Sequence, residues 1–101
     1  MKIKELLTDE SKWTQGVGAR DLHLEHVSSK NQDAVCWCLL GAIERCYAFE
    51  QYLEVERKLA DAIEPDWHKN EYISFCLIIR WNDAPERTFE DVKKLVEELD
   101  I

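Results

Sequence analysis

The amino-acid sequence predicts a mainly α-helical protein, with four to five helices around a central apolar helix at 34–46 and a small β-hairpin near 16–27. Three observations indicate this fold class. The chain has 101 residues, which suits a single domain, 1–101. Its least polar run, 35–43, has almost no polar face when it is drawn as a helix. Elsewhere, apolar residues recur mostly at helical spacing.

Ahead of the central helix, the apolar spacing predicts a short helix at 3–12. Gly16 and Gly18 weaken any helix that contains them. We therefore expect 16–20 to be a short strand or an extended loop. The alternating residues at 22–27 are its expected hairpin partner.

The central helix is expected to begin after Asn31 or Asp33, either of which can supply an N-cap oxygen. Gly41 inside this helix costs about 1 kcal/mol relative to Ala. We therefore expect another backbone or an aromatic ring to approach the helix closely at Gly41.

A further helix is predicted at 50–63, and Pro65 ends it because proline has no amide hydrogen. The residues expected on its core face are Leu53, Glu56, Leu59, Ala60 and Ile63.

The segment 72–81 has the length of a helix and the composition of a buried strand. We expect a helix with Asn70 as its cap, because only a small hairpin is available for a strand to join. The last helix is predicted to begin after Thr88, which can form a capping box with Asp91. Its apolar stripe is Phe89, Val92, Leu95, Val96 and Leu99.

The charge balance is acidic, with 13 basic and 21 acidic residues and a net charge of −8. Residues 1–50 carry 6 basic and 8 acidic side chains (−2), and 51–101 carry 7 and 13 (−6). Direct binding to nucleic acid is not expected, because neutralising phosphates needs clustered Lys and Arg. A basic protein surface is a compatible partner. Acidic side chains also solvate helix faces without any partner.

No stretch of the sequence reaches the roughly 18 apolar residues of a membrane span. Met1 is not followed by the apolar segment of a secretory signal. We therefore expect a cytoplasmic protein without membrane contact, in which the four cysteines stay reduced.

The cysteines and histidines lack the spacing of a metal site. Zinc knuckles use cysteines in C-x₂₋₄-C turns, whereas Cys36 and Cys38 would diverge by about 200° on the predicted helix. We expect the cysteines to pack in the core, namely Cys36, Cys38, Cys46 and Cys76. We expect the histidines to lie at exposed loop positions, namely His23, His26 and His68. No nucleophile stands beside a base, and no Gly-rich phosphate loop opens a helix. No catalytic residue, metal or cofactor is therefore predicted.

Three separated blocks of the sequence stand out together. They read Trp-Thr-Gln-Gly-Val-Gly-Ala-Arg-Asp at 13–21, Ala-Val-Cys-Trp-Cys-Leu-Leu-Gly-Ala-Ile at 34–43 and Trp-Asn-Asp-Ala-Pro-Glu-Arg-Thr-Phe-Glu-Asp-Val at 81–92. In this order they resemble a family of small uncharacterised proteins found in phages and in bacterial, especially actinobacterial, genomes. The chain departs from its relatives at 22–24, where they tend to have a Gly-containing turn, and at Glu86, where they tend to have Gly. The resemblance implies no established activity. Because the family has members in phages, the resemblance implies a small acidic protein that occupies a host protein's surface.

Polar side chains flank the tryptophans of the first and last blocks, at element ends where groups can converge. The candidate ligand-binding residues are Trp13, Gln15, Arg20, Trp81, Asn82, Asp83 and Arg87. In a pocket, the rings would stack on a small polar or phosphorylated ligand and the guanidinium groups would hold its charge. A structural role is the other interpretation, in which Asn82 satisfies backbone groups, Gln15 bridges loop amides and Arg87 pairs with Asp83.

The leading functional hypothesis is a non-enzymatic, small acidic binding protein that acts by protein–protein contact. In its specific form, the chain is a phage or mobile-element product that inhibits a host defence system, and its partner is a host protein with a basic surface. The alternative is a small-ligand or nucleotide-binding protein with a pocket between the blocks at 13–20 and 81–88.

Overall fold

The computed structural model describes residues 1–67 and 74–101, and these residues confirm a mainly helical fold with one small two-stranded sheet. In chain order the elements are α1 (Ile3–Leu6), a 3₁₀ turn (Glu10–Lys12), β1 (Ala19–Arg20), β2 (Cys36–Trp37), α2 (Leu39–Cys46), α3 (Phe49–Ile63), α4 (Ser74–Asp83) and α5 (Phe89–Leu99). None of the helices in these two ranges is both long enough and apolar enough to cross a membrane.

Helix α2 lies at the centre of the fold, where it packs against α1, α3 and α4. Leu39, Ala42 and Ile43 are fully buried in the core. Gly41 is required by a close backbone approach, because a Cβ atom at this position would lie 2.0 Å from the carbonyl oxygen of Gly18. This contact confirms the approach that the sequence predicts at Gly41.

The predicted start of the central helix at residue 34 is wrong, since the helix begins only at Leu39. The residues before it are extended and form β2, which pairs antiparallel with β1 so that Ala19 faces Trp37. The N-cap is Cys38, whose Sγ accepts a hydrogen bond from the Gly41 amide at 3.3 Å. A fully buried strand and a fully buried helix have the same apolar composition, so periodicity could not separate them here.

The predicted hairpin is correct in its first strand and wrong in its second. Residues 22–27 contribute a single bridge, between His26 and Arg20, while the true partner of β1 is β2. The intervening turn is held by Asp21, whose Oδ1 accepts from the amides of His23 (2.8 Å) and Glu25 (3.1 Å). The Asp21 carboxylate therefore bonds backbone amides that would otherwise pair with a second strand in a longer β-ladder.

The first predicted helix, 3–12, is interrupted. Helix α1 ends at Leu6, and the Asp9 carboxylate accepts from the Ser11 amide at 3.0 Å to cap the separate 3₁₀ turn. Asp and Thr favour such local side-chain bonds over the interior of a helix.

Helix α3 has the predicted extent to within one residue, but its buried face is shifted. Val55 is buried with Glu56, Leu59 and Ala60, whereas Leu53 is 45% exposed.

Helix α4 confirms the helical interpretation over 74–81, while 72–73 and the predicted cap at Asn70 lie outside the described residues. The capping box of α5 is also confirmed. Thr88 Oγ1 accepts from the Asp91 amide at 3.2 Å, and the Asp91 carboxylate accepts from the Thr88 amide at 3.0 Å.

Candidate functional site

The three sequence blocks meet at Asn82, which lies in the last turn of α4 and is fully buried. Its Oδ1 accepts from the indole Nε1 of Trp13 at 2.7 Å and from the amide of Leu39 at 3.1 Å. Its Nδ2 donates to the Thr14 carbonyl at 3.1 Å and to the Asp83 carboxylate at 2.9 Å. A carboxamide has two acceptor sites and two N–H groups. All four are therefore used within the protein.

The two residues Gln15 and Gly16 also bind the end of α4. Gln15 Nε2 donates to the carbonyls of Asn82 (2.8 Å) and Ala84 (3.1 Å). The Asp83 carboxylate accepts from the Gly16 amide at 3.0 Å. The two Gln15 bonds satisfy carbonyls that the end of a helix leaves without intrahelical partners. The bridging predicted for Gln15 is thus present, with carbonyls rather than amides as its partners.

Arg20 is bound on the other side of the same loop. Its Nε donates to the Thr14 hydroxyl at 3.0 Å. Its terminal nitrogens donate to the carbonyls of Leu24 (3.0 Å) and Gln15 (3.2 Å). The guanidinium therefore holds the first block to the turn that follows β1.

Trp81 and Arg87 form a second, adjoining unit. The Arg87 guanidinium carbon lies 3.8 Å from the centre of the Trp81 ring, within the range of a cation–π contact. Its Nε donates to the Trp81 carbonyl at 2.8 Å. The carboxylate near this guanidinium is that of Asp91, at 3.8 Å, and not that of Asp83 as predicted.

The cavity beside the junction at Asn82 is small. A cavity of about 110 Å³ is lined by the glycines of the first block, by Cys38 and Gly41, and by Asp83. None of the other six candidate ligand-binding residues lines it. Pockets that hold drug-sized ligands have volumes of about 300–1,000 Å³. The contacts of Trp13, Gln15, Asn82 and Asp83 hold the three blocks together.

The thiols are buried or half-buried. Cys36 and Cys38 are buried in extended chain, so the helical divergence expected for them does not apply. Burial raises the pKa of the Cys38 thiol and raises that of Cys46 to about 11. Thiols with raised pKa values are poor nucleophiles at neutral pH.

The histidines divide between described and undescribed residues. His23 and His26 are exposed, and His68 lies outside the described residues. Within 1–67 and 74–101, no three Cys, His, Asp or Glu side chains are grouped to hold a metal ion.

Sequence reasoning missed a second feature, a cavity of about 300 Å³ at the start of α3. It is lined by Lys30, Glu44, Tyr47, Phe49 and Tyr52. The signal in the sequence was the presence of three aromatic residues within six positions, Tyr47, Phe49 and Tyr52.

A family model matches residues 2–99 and therefore nearly the whole chain. The chain belongs to the family of unknown function DUF6197. All three blocks that meet at Asn82 lie inside the part matched by the DUF6197 model. The search of curated proteins found no match, and neither did the search of solved structures.

Proposed function

We propose that this DUF6197 protein acts without catalysis, by binding another protein through the exposed face of α3. The observation that carries the proposal is an apolar patch formed by Phe49, Tyr52 and Leu53. Phe49 is 75% exposed, Leu53 is 45% exposed and Tyr52 is half-buried. Residues three and four positions apart are neighbours on a helix surface, so the three side chains are contiguous. Large apolar groups left together in water are typical of interaction sites.

The charge around the patch indicates the chemistry of the partner. Glu50 and Glu54 are exposed on the same helix, and the chain carries a net charge of −8. Opposite charge steers encounter and excludes partners of like charge. A partner with a basic surface and an apolar contact fits this face of α3.

In its specific form, the proposal is that a host protein is the partner and that the chain inhibits a host defence system. The support for this form is the acidic excess, together with the resemblance of the three sequence blocks to small phage-associated proteins.

A small-ligand site between the blocks at 13–20 and 81–88 has less support. The Asn82 amide is fully hydrogen-bonded within the protein, and Arg20 is bound to two groups of the first block and to one carbonyl of the turn after β1. The adjoining cavity of about 110 Å³ is smaller than a nucleotide pocket.

Affinity capture from a host lysate tests the proposal. The immobilised wild-type chain is expected to enrich a protein that an unrelated acidic protein of the same net charge does not enrich. The Phe49→Ser/Leu53→Ser variant should lose this partner while its thermal unfolding stays cooperative and shifts by only a few degrees, because neither side chain belongs to the buried core.

The matched control is Leu22→Ser, which makes the same kind of change at a position that is 81% exposed but lies on a loop. This variant should retain the partner. Charge reversal at three exposed residues of α5, Glu90, Glu97 and Glu98, is a second control. Retention of the partner by this variant would show that the α3 face itself is recognised, and loss of the partner would show that the overall negative charge is recognised. Equal recovery by the wild type and the α3 variant would refute the proposed surface.

A further inference from the structure

The cavity at the start of α3 combines aromatic walls with one carboxylate. Three of its five lining residues are aromatic, namely Tyr47, Phe49 and Tyr52. The rings of Phe49 and Tyr52 are nearly parallel, with an angle of 11° between their planes and 6.4 Å between their centres. Glu44 contributes the carboxylate, and its Oε1 accepts from the Ser29 hydroxyl at 3.2 Å.

These groups favour a positive charge. The face of an aromatic ring carries the negative part of its quadrupole, and a cation within about 6 Å of the ring centre is attracted to it. The Glu44 carboxylate adds a full negative charge to the same wall. An anion would be repelled by the ring faces and the carboxylate and attracted only by Lys30, and an uncharged apolar group would desolvate the carboxylate without pairing it.

We propose that this cavity binds a cationic side chain of a partner protein, either the guanidinium group of an arginine or the ammonium group of a lysine. The inference rests on the proposed function, because it assigns a binding chemistry to the acidic α3 surface. The exposed Phe49 ring stands where the cavity meets the apolar patch. A long basic side chain can therefore enter the cavity while neighbouring apolar groups of the partner cover the patch.

Lys30 also lines the cavity, and its charge opposes an incoming cation. Removing this charge while keeping a long side chain should strengthen cation binding. A site selective for anions, or for apolar groups alone, predicts no such gain.

Nuclear magnetic resonance titration with two matched peptides tests the inference. The probes are acetyl-Gly-Arg-Gly-amide and the same peptide with citrulline, which keeps the shape of arginine without its charge. The arginine peptide is expected to shift the ring resonances of Tyr47, Phe49 and Tyr52 in a saturable manner. The citrulline peptide should bind more weakly, and a parallel titration with acetyl-Gly-Lys-Gly-amide distinguishes guanidinium from ammonium.

Variants test whether the arginine peptide binds at this cavity. Phe49→Leu should weaken binding of the arginine peptide roughly two- to fivefold, the range of a partly exposed cation–π contact. Glu44→Gln should weaken it by up to about fivefold, the range of an exposed ion pair. Lys30→Gln should strengthen it. Phe75→Leu is the control, because Phe75 is an aromatic residue on α4, is 44% exposed and does not line this cavity.

Equal shifts with arginine and citrulline, or shifts unchanged in Phe49→Leu and Glu44→Gln, would overturn the inference. The peptides probe the cavity without any cellular partner, so the two proposals fail separately. Peptide binding without a captured protein would contradict the proposed function, and capture by the wild type without peptide binding would contradict only the cation site.

Discussion

At the scale of single residues, Asn82 shows why a buried polar group can specify a fold. Its amide bonds two groups from the first sequence block and one each from the second and third, with each distance between 2.7 and 3.1 Å. The sequence identified Asn82, Trp13 and Gln15 as belonging together, because polar and aromatic residues at element ends are visible in a sequence. It could not identify the Leu39 amide or the Thr14 carbonyl, because any residue type supplies a backbone group.

Replacing Asn82 with Ala should destabilise the protein by about 3 kcal/mol or more. The change leaves the buried Leu39 amide and the part-buried Trp13 indole and Thr14 carbonyl without this partner, and an unpaired buried group costs about 1–3 kcal/mol. Urea unfolding measures the loss. Asn31→Ala is the control, because Asn31 is exposed and its Oδ1 bonds a single turn amide. Similar losses in both variants would contradict the role of Asn82.

Leu24 carries backbone strain, since its φ of 64° lies in the left-handed region. Leucine is disfavoured there by roughly 1–2 kcal/mol, whereas Asn tolerates this conformation. Leu24→Asn should therefore raise the free energy of unfolding by up to about 1 kcal/mol. Leu22→Asn in the same turn has no positive φ and should change it by less than about 0.5 kcal/mol. A thermal midpoint that is lower in Leu24→Asn than in the wild type would refute this account of strain.

At the scale of elements, the positions of α3 and α5 were predictable from the sequence, whereas the start of α2 was not. The amphipathic stripe and the capping box of α5 determine its position from local sequence alone. The apolar run at 34–43 instead divides into β2 and α2, because the pairing of Ala19 with Trp37 is a contact between distant residues. Local periodicity contains no information about that partner.

The contact between α2 and the first block is tested at Gly41. Alanine would improve helix propensity by about 1 kcal/mol, yet its Cβ would lie 2.0 Å from the Gly18 carbonyl oxygen. Because a backbone atom cannot move aside cheaply, Gly41→Ala should destabilise the protein by about 2 kcal/mol or more. Gly18→Ala is the control, since a Cβ there has no neighbour within 4 Å. Chemical denaturation of both variants should show a large loss only at position 41.

At the scale of the whole molecule, residues from opposite ends of the chain pack side by side. The Lys4 amide donates to the Ile101 carbonyl at 3.0 Å, and Ile101 is buried in the core. Asp100 pairs with both Lys4 and Lys2. The sequence did not indicate this pairing, because it joins single charged residues that are almost a chain length apart.

Asp100 should make stability depend on pH in the acid range. The hydrogen bond from Lys4, and then that from Lys2, lower the pKa of Asp100 from 3.8 to about 2. A carboxyl group whose pKa is lower in the folded state stabilises the protein at pH values above its pKa in the unfolded state. This stabilisation is lost as the pH falls through its pKa in the folded state. The wild type should therefore unfold at a higher temperature than Asp100→Asn at pH 5, and this difference should disappear as the pH falls from about 4 to about 2.

The comparison with asparagine is well matched because Asp100 has a φ of 54°, which asparagine also tolerates. A difference between the two proteins that stays constant from pH 5 to pH 2 would exclude this ion pair as its source.

Hydrogen exchange of the Trp13 indole N–H reports on the junction of the three blocks in the unmodified protein. Its resonance can be assigned by its loss in Trp13→Phe. Because this N–H donates to the buried Asn82 Oδ1 at 2.7 Å, it should exchange much more slowly than an exposed indole, just as the Leu39 amide, which is bonded to the same atom, should exchange more slowly than an exposed amide. Exchange at the rate of an exposed indole, while the core amides of α5 stay protected, would show that the blocks are not joined at Asn82 and that its amide is free to bind a ligand.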